Sequence, residues 1–164
     1  MDSFLNKKQL VLIAFVLVVA IFRLFPHLPN VTPITAMALF SGAYFSNKAL
    51  AYIVPLAAMF LSDLILGFSG ITLFVYAAFI LVSFIGFISK KTNLKTILIS
   101  SVSFFIITNF GVWLLGYPKT FDGLIECYTL AIPFFRNSLI GDFFFAGVLY
   151  YGFNFVSRKY LQTV

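Results

Sequence analysis

The sequence predicts an all-α membrane protein, a six-transmembrane-helix bundle with N- and C-termini cytoplasmic. Three observations predict it. Hydrophobic residues make up 62% of the 164 and charged residues 10%. A soluble domain has roughly 45–50% and about 25%, so this chain has too little polar surface to cover a water-soluble globule. The apolar residues also fall into runs near the ~20 residues that cross ~30 Å of hydrocarbon at about 1.5 Å each. Finally, the Lys and Arg behind the formal net charge of +6 sit mostly at the ends of those runs. There they orient a membrane protein rather than mark a nucleic-acid surface. The runs are too long, and too apolar on all sides, for barrel strands. Short connections make 1–164 a single integral membrane domain.

The first helix is expected at 9–25. Lys7 and Lys8 ahead of it give the shape of a signal peptide, but more apolar segments follow, so it reads as a retained span. "PHLPNVTP" closes it, because three prolines cannot sit in a helix interior. A short second helix is expected at 34–46, a third at 49–67 and a fourth at 71–89. "KKTNLK" at 90–95 is a polar break before a fifth at 96–115. In the mixed stretch that follows, Gly116, Pro118 and Gly123 argue for turns. Leu124, Ile125, Tyr128 and Leu130 suggest a short helix lying in the interface over 121–131. The sixth span is expected at 137–156. With a cytoplasmic N-terminus, Lys7, Lys8, Lys48, Lys90, Lys91, Lys95, Arg158 and Lys159 all fall inside. Lys119 and Arg136 fall outside, with Arg23 at the outer end of helix one, so basic residues favour this topology.

On that topology the costly polar groups gather in the outer half of the bundle. Arg23 ends helix one, and His27, Asn30 and Thr32 follow in the loop. Asp63 lies about four residues, or ~6 Å, below the outer end of helix three. Tyr76 is about one turn into helix four. Asn109 and Trp113 share a face of helix five at i and i+4, next to Thr108. Arg136, Asn137, Ser138 and Asp142 open helix six. The inner half is mostly Phe, Leu, Ile and Val, apart from Ser100, Ser101 and Ser103. An ionised side chain at mid-bilayer costs about 2.5–3.5 kcal/mol even on a lenient scale, so a one-sided cluster points to a polar cavity open to the outside.

The ligand-binding candidates are therefore Arg23, Asn30, Thr32, Asp63, Tyr76, Asn109, Trp113, Asn137 and Asp142. The plainer alternative is that Arg23–Asp63 and Asn109–Asp142 are structural pairs. Asn30 also suits a turn between prolines, and Trp113 and Tyr117 suit an aromatic belt. Both charge signs are present among the candidates, so a zwitterionic or heteroaromatic ligand fits better than a simple anion. Aromatics are 20% of the chain, with 23 Phe, mostly for lipid and core.

Helix two, "ITAMALFSGAYF", carries a small-residue stripe of Thr35, Ala38 and Gly42. Such a stripe either packs inside the monomer or docks another membrane subunit. Enzymatic signatures are missing. No GxxxxGKS, HExxH, GxSxG, GxGD or paired-cysteine motif occurs. The single cysteine, Cys127, excludes an internal disulfide, and the single histidine, His27, excludes a His-rich metal site. No catalytic residue, metal or cofactor is expected.

The run "RLFPHLPNVTPITAMALFSGAYFSNKALAYIVPLAAMFLSDLILGF", with "TNFGVWLLGYPKT" and "IPFFRNSLIGD", resembles a family of uncharacterised bacterial membrane proteins. That family is related to the substrate-binding S component of energy-coupling-factor (ECF) vitamin transporters. Six short helices, inside termini, a small-residue second helix and "SDLILG" at 62–67 carry the S-component likeness. The resemblance covers most of Arg23 to Asp142 and is specific to the uncharacterised family, general only to S components of known substrate. It implies an S-component-like fold in a bacterial cytoplasmic membrane. It also implies a vitamin-like ligand held in an outward cavity under the loop Pro26 to Pro33. The implied partners are an ECF T subunit and ATPases, with the helix-two stripe in the docking face. The alanine-rich docking pattern of helix one is not matched, since Ala14 and Ala20 are six apart. A solitary proton-coupled small-solute carrier using Asp63 and Asp142, or an accessory subunit without a ligand, remain as alternatives.

Overall fold

Side-chain caps start four of the helices, and the helices in turn set the fold. The computed structural model describes residues 6–25 and 30–161, and its regular elements are all helical. Helix α1 (Lys7–Ile21) begins with a reciprocal Asn6–Gln9 capping box and runs into a 3-10 turn at Phe22–Leu24. Helix α2 spans Ile34–Tyr44. Asn47 caps α3 (Lys48–Leu66), which ends at Gly67 in the left-handed region, φ 91°. Helix α4 (Thr72–Ser89) ends at Lys90, φ 51°. An Asn93–Thr96 box opens α5 (Leu94–Gly116), and the Thr120 side chain caps α6 (Phe121–Val156). Each such cap contributes roughly 0.5–2 kcal/mol. A π-helical turn, Ser157–Leu161, closes the described chain. His27 and the rest of 26–29 lie outside the described residues.

Helices α3, α4, α5 and α6 are long and apolar enough to cross a membrane, which marks a multi-pass membrane protein. Large apolar side chains such as Leu73, Ile65 and Phe155 face outward on them, as lipid-facing residues do. Helix α2 is shorter, with 11 residues, and lies in the middle. Every residue from Thr35 to Gly42 is buried, and it touches all five other helices. A helix that is apolar all round belongs inside. At one end of the core Phe40 stacks on Tyr44, centroids 4.6 Å apart, and meets the edge of Phe153 at 5.7 Å.

The closest approach is between α2 and α4. A Cβ on Gly42 would lie 2.0 Å from the Ser83 carbonyl oxygen, and one on Gly86 2.4 Å from that of Leu39. The two backbones touch where neither has a side chain. This corrects the docking assignment: Thr35, Ala38 and Gly42 are buried within the chain, so their smallness serves internal packing. Gly147 is the contrast, since nothing lies within 4 Å of its would-be Cβ. Gly147→Ala should raise stability by up to ~1 kcal/mol, because alanine restrains the unfolded chain and favours helix. Thermal unfolding in micelles will show it as a higher midpoint, and a lower one would refute it.

The second correction concerns α6. A short helix at 121–131 and a separate span at 137–156 were expected. Instead one helix of 36 residues runs through both, with Pro133 inside it. Proline's fixed φ is helical and removes only one backbone donor, so the ring interrupts the ladder without ending the helix. The turn stops at Thr120, and Gly123 is already helical, its amide bound to the Thr120 hydroxyl at 3.1 Å. At ~1.5 Å per residue α6 is about 54 Å long, well beyond ~30 Å of hydrocarbon.

Candidate functional site

Helix α1 stops at Ile21, and the 3-10 turn carries Arg23 to α3. There Nη2 pairs with Asp63 Oδ1 at 2.6 Å. Nη1 donates to the Ser62 hydroxyl and to the Met59 carbonyl, the latter at 3.4 Å. From α4, the Tyr76 hydroxyl donates to Asp63 Oδ2 at 2.9 Å. Both oxygens of Asp63, which is only 3% exposed, are therefore engaged. A buried carboxylate persists when a cation and further donors satisfy it. Asp63 and Tyr76 thus hold Arg23, and the pairing reading of Arg23–Asp63 is the one observed.

In front of Arg23 lies a cavity of about 530 Å³, within the ~300–1,000 Å³ of small-molecule sites. Two helix faces wall it. On α5, Ser101, Phe104, Phe105, Thr108, Asn109 and Val112 recur at helical spacing. On α6, Cys127, Ala131, Phe134, Phe135, Ser138 and Asp142 do the same. The α6 wall is one face only because the helix is continuous from 121 to 156. Arg23, Asn30 and Thr32 also line it, as do Met59 and Val75 from α3 and α4 and Tyr117 after α5. Asn30 takes a left-handed φ of 63°, which asparagine tolerates, so it is both a turn residue and a wall residue.

Asp142 is the other buried carboxylate, 2% exposed. Its Oδ2 accepts from the Ser101 hydroxyl at 2.6 Å, and the Thr35 hydroxyl also hydrogen-bonds it. Both donors are neutral. The expected Asn109–Asp142 pair does not form. Asn109 Nδ2 donates instead to the Phe105 carbonyl of its own helix at 2.8 Å. Ser101 and Asn109 are about 12 Å apart along α5, so Asp142 beside Ser101 is out of reach. The polar groups therefore extend into the half of α5 expected to be oily.

Five of the nine ligand-binding candidates line this cavity: Arg23, Asn30, Thr32, Asn109 and Asp142. Asp63 and Tyr76 stand behind it, and Asn137 is not in its wall. Trp113 is elsewhere. Its indole Nε1 donates to the Pro118 carbonyl at 3.0 Å, and Lys119 lies 5.8 Å from its ring centroid, so it fastens the α5–α6 turn. Ser101 and the Phe104–Phe105 pair were missed, and Thr108 was placed in the polar cluster but not among the candidates. Their signal was the seven-residue spacing from Ser101 to Thr108, two turns on the face that leads to Asn109.

The model of a family of unknown function, DUF6580, matches residues 4–163. The chain belongs to that family. No curated protein and no solved structure matches the chain. The similarity to vitamin-transporter S components finds no support in these matches. What this DUF6580 chain presents is a hollow between helices where apolar walls alternate with polar side chains, the mixture found in small-molecule sites. A second hollow of about 360 Å³, bounded by Asp122, Ile125, Glu126, Thr129 and Leu130, has walls from α6 alone. It cannot enclose a ligand.

Proposed function

We propose that this DUF6580 protein is the substrate-binding subunit of a small-molecule uptake system, with a vitamin or vitamin precursor as ligand. It would sit in a bacterial cytoplasmic membrane with six spans and both termini inside. On the S-component likeness, a T subunit and ATPases would energise release. One observation carries this: a cavity of about 530 Å³ where α5 and α6 bring aromatic faces and polar groups together. Pockets of that composition bind organic solutes. Asp63 and Tyr76 serve it indirectly by fixing Arg23.

The test fills the hollow. Ala131 faces the cavity, so Ala131→Trp adds bulk to empty space rather than to packed core. A small molecule should co-purify with the wild type near one per chain. The tryptophan variant should retain at least tenfold less, as measured by mass spectrometry of the extracted ligand, with little change in thermal midpoint. Equal retention by a folded Ala131→Trp variant would place the ligand elsewhere.

A further inference from the structure

The charges around the cavity do not balance. Among the described residues of its wall, Arg23 is the only cation, and its guanidinium is bound to Asp63, Ser62 and Met59. Among the described residues Asp142 has no such partner. It is buried, faces the same hollow, and its described partners are hydroxyls. Hydroxyls orient a carboxylate but bring no opposite charge. In low dielectric such a group is costly until it meets a cation or takes a proton. The walls next to it favour the cation. Phe104, Phe105 and Phe135 line this cavity, and aromatic faces attract organic cations, most strongly when desolvated.

We infer that the ligand carries a cationic nitrogen, an ammonium or a charged heterocycle, and that Asp142 is its counter-ion. The inference rests on the small-molecule role proposed above and refines it. The sequence suggested a zwitterionic or heteroaromatic ligand because both charge signs were present. With Arg23 already neutralised by Asp63, the group left to choose the ligand is the carboxylate. Ser101 sets the direction of that carboxylate and Asn109 offers a neutral contact farther along α5. Asp142→Asn keeps the shape and can still accept from Ser101, so it removes charge and little else.

Two measurements test this. The first identifies the compounds that co-purify with wild type and with Asp142→Asn. The second uses wild type alone and compares three probes of similar shape, 2-phenylethylamine, 2-phenylethanol and 3-phenylpropanoate, by thermal stabilisation in micelles. A nitrogen cation should dominate the wild-type extract and fall at least tenfold in the variant, and the amine should bind at least tenfold more tightly than the alcohol or acid. If the retained compound has no cationic nitrogen, or the alcohol or acid binds as well as the amine, the counter-ion role of Asp142 is overturned while the binding cavity stands. If nothing co-purifies and no probe binds, both proposals fall. The wild-type comparison decides even if Asp142→Asn does not fold.

Discussion

Replacing Asp63 with leucine should destabilise the protein by about 3–5 kcal/mol, the cost of removing one partner from a buried ion pair. The substitution strips Arg23 of the oxygen at 2.6 Å and Tyr76 of its acceptor at 2.9 Å. Arg23, with only 15% of its side chain exposed, is left a buried charge with the Ser62 hydroxyl and the Met59 carbonyl. Arg23→Leu should cost a similar amount, because it leaves the buried Asp63 carboxyl with Tyr76 as its side-chain partner and no cation. The double variant should be less damaged than the sum of the singles, since no uncompensated charge remains. Unfolding midpoints of the four proteins in one micelle give the coupling directly. Coupling below about 0.5 kcal/mol, the scatter of independent sites, would show that the pair does not organise α1 against α3.

That pair also shows which parts of the site sequence alone can reveal. A carboxylate inside "PLAAMFLSDLILGF" stands out because burial of charge is expensive, whatever the fold. Its pairing with Arg23 could be named from sequence only as one of two readings. Arg23 and Asp63 come from different helices, and only the 3-10 turn after Ile21 brings them together. The ends of helices three to five were legible to within two residues, 49–67 against Lys48–Leu66, 71–89 against Thr72–Ser89 and 96–115 against Leu94–Gly116. The start of α6 was not, because Gly123 suggests a turn unless one knows that Thr120 caps it. That misreading separated Cys127 and Ala131 from Ser138 and Asp142, and so hid a whole cavity wall. Ser101 was set aside among inner-half serines for a similar reason. Its meaning depends on Asp142, 41 residues away, and no local pattern encodes that register. The stripe on α2 was visible, but spacing cannot say whether the surface that meets it belongs to the same chain.

The second large effect is at that stripe. Gly42→Ala should cost at least the ~3 kcal/mol at the top of the range for overpacked cores. The added methyl carbon would lie 2.0 Å from the Ser83 carbonyl oxygen and 2.9 Å from the Phe87 amide nitrogen. Both are backbone atoms of α4, so no rotamer change relieves the clash and the helices must separate. Separation would also reach Gly86, whose own Cβ position is blocked by α2 backbone at 2.4 Å, and would open the core around Ser41 and Leu39. Membrane helices gain little from hydrophobic drive and depend on such contact, so the loss cannot be regained by sliding. Gly42→Ala should therefore shift the protein from a monodisperse peak to aggregate on size exclusion, and Gly86→Ala should do the same. Gly147→Ala is the matched control, an identical change on a surface with open space. A Gly42→Ala protein with the melting point of wild type would mean that α2 and α4 do not meet as described, and with that the central position of α2 would be lost.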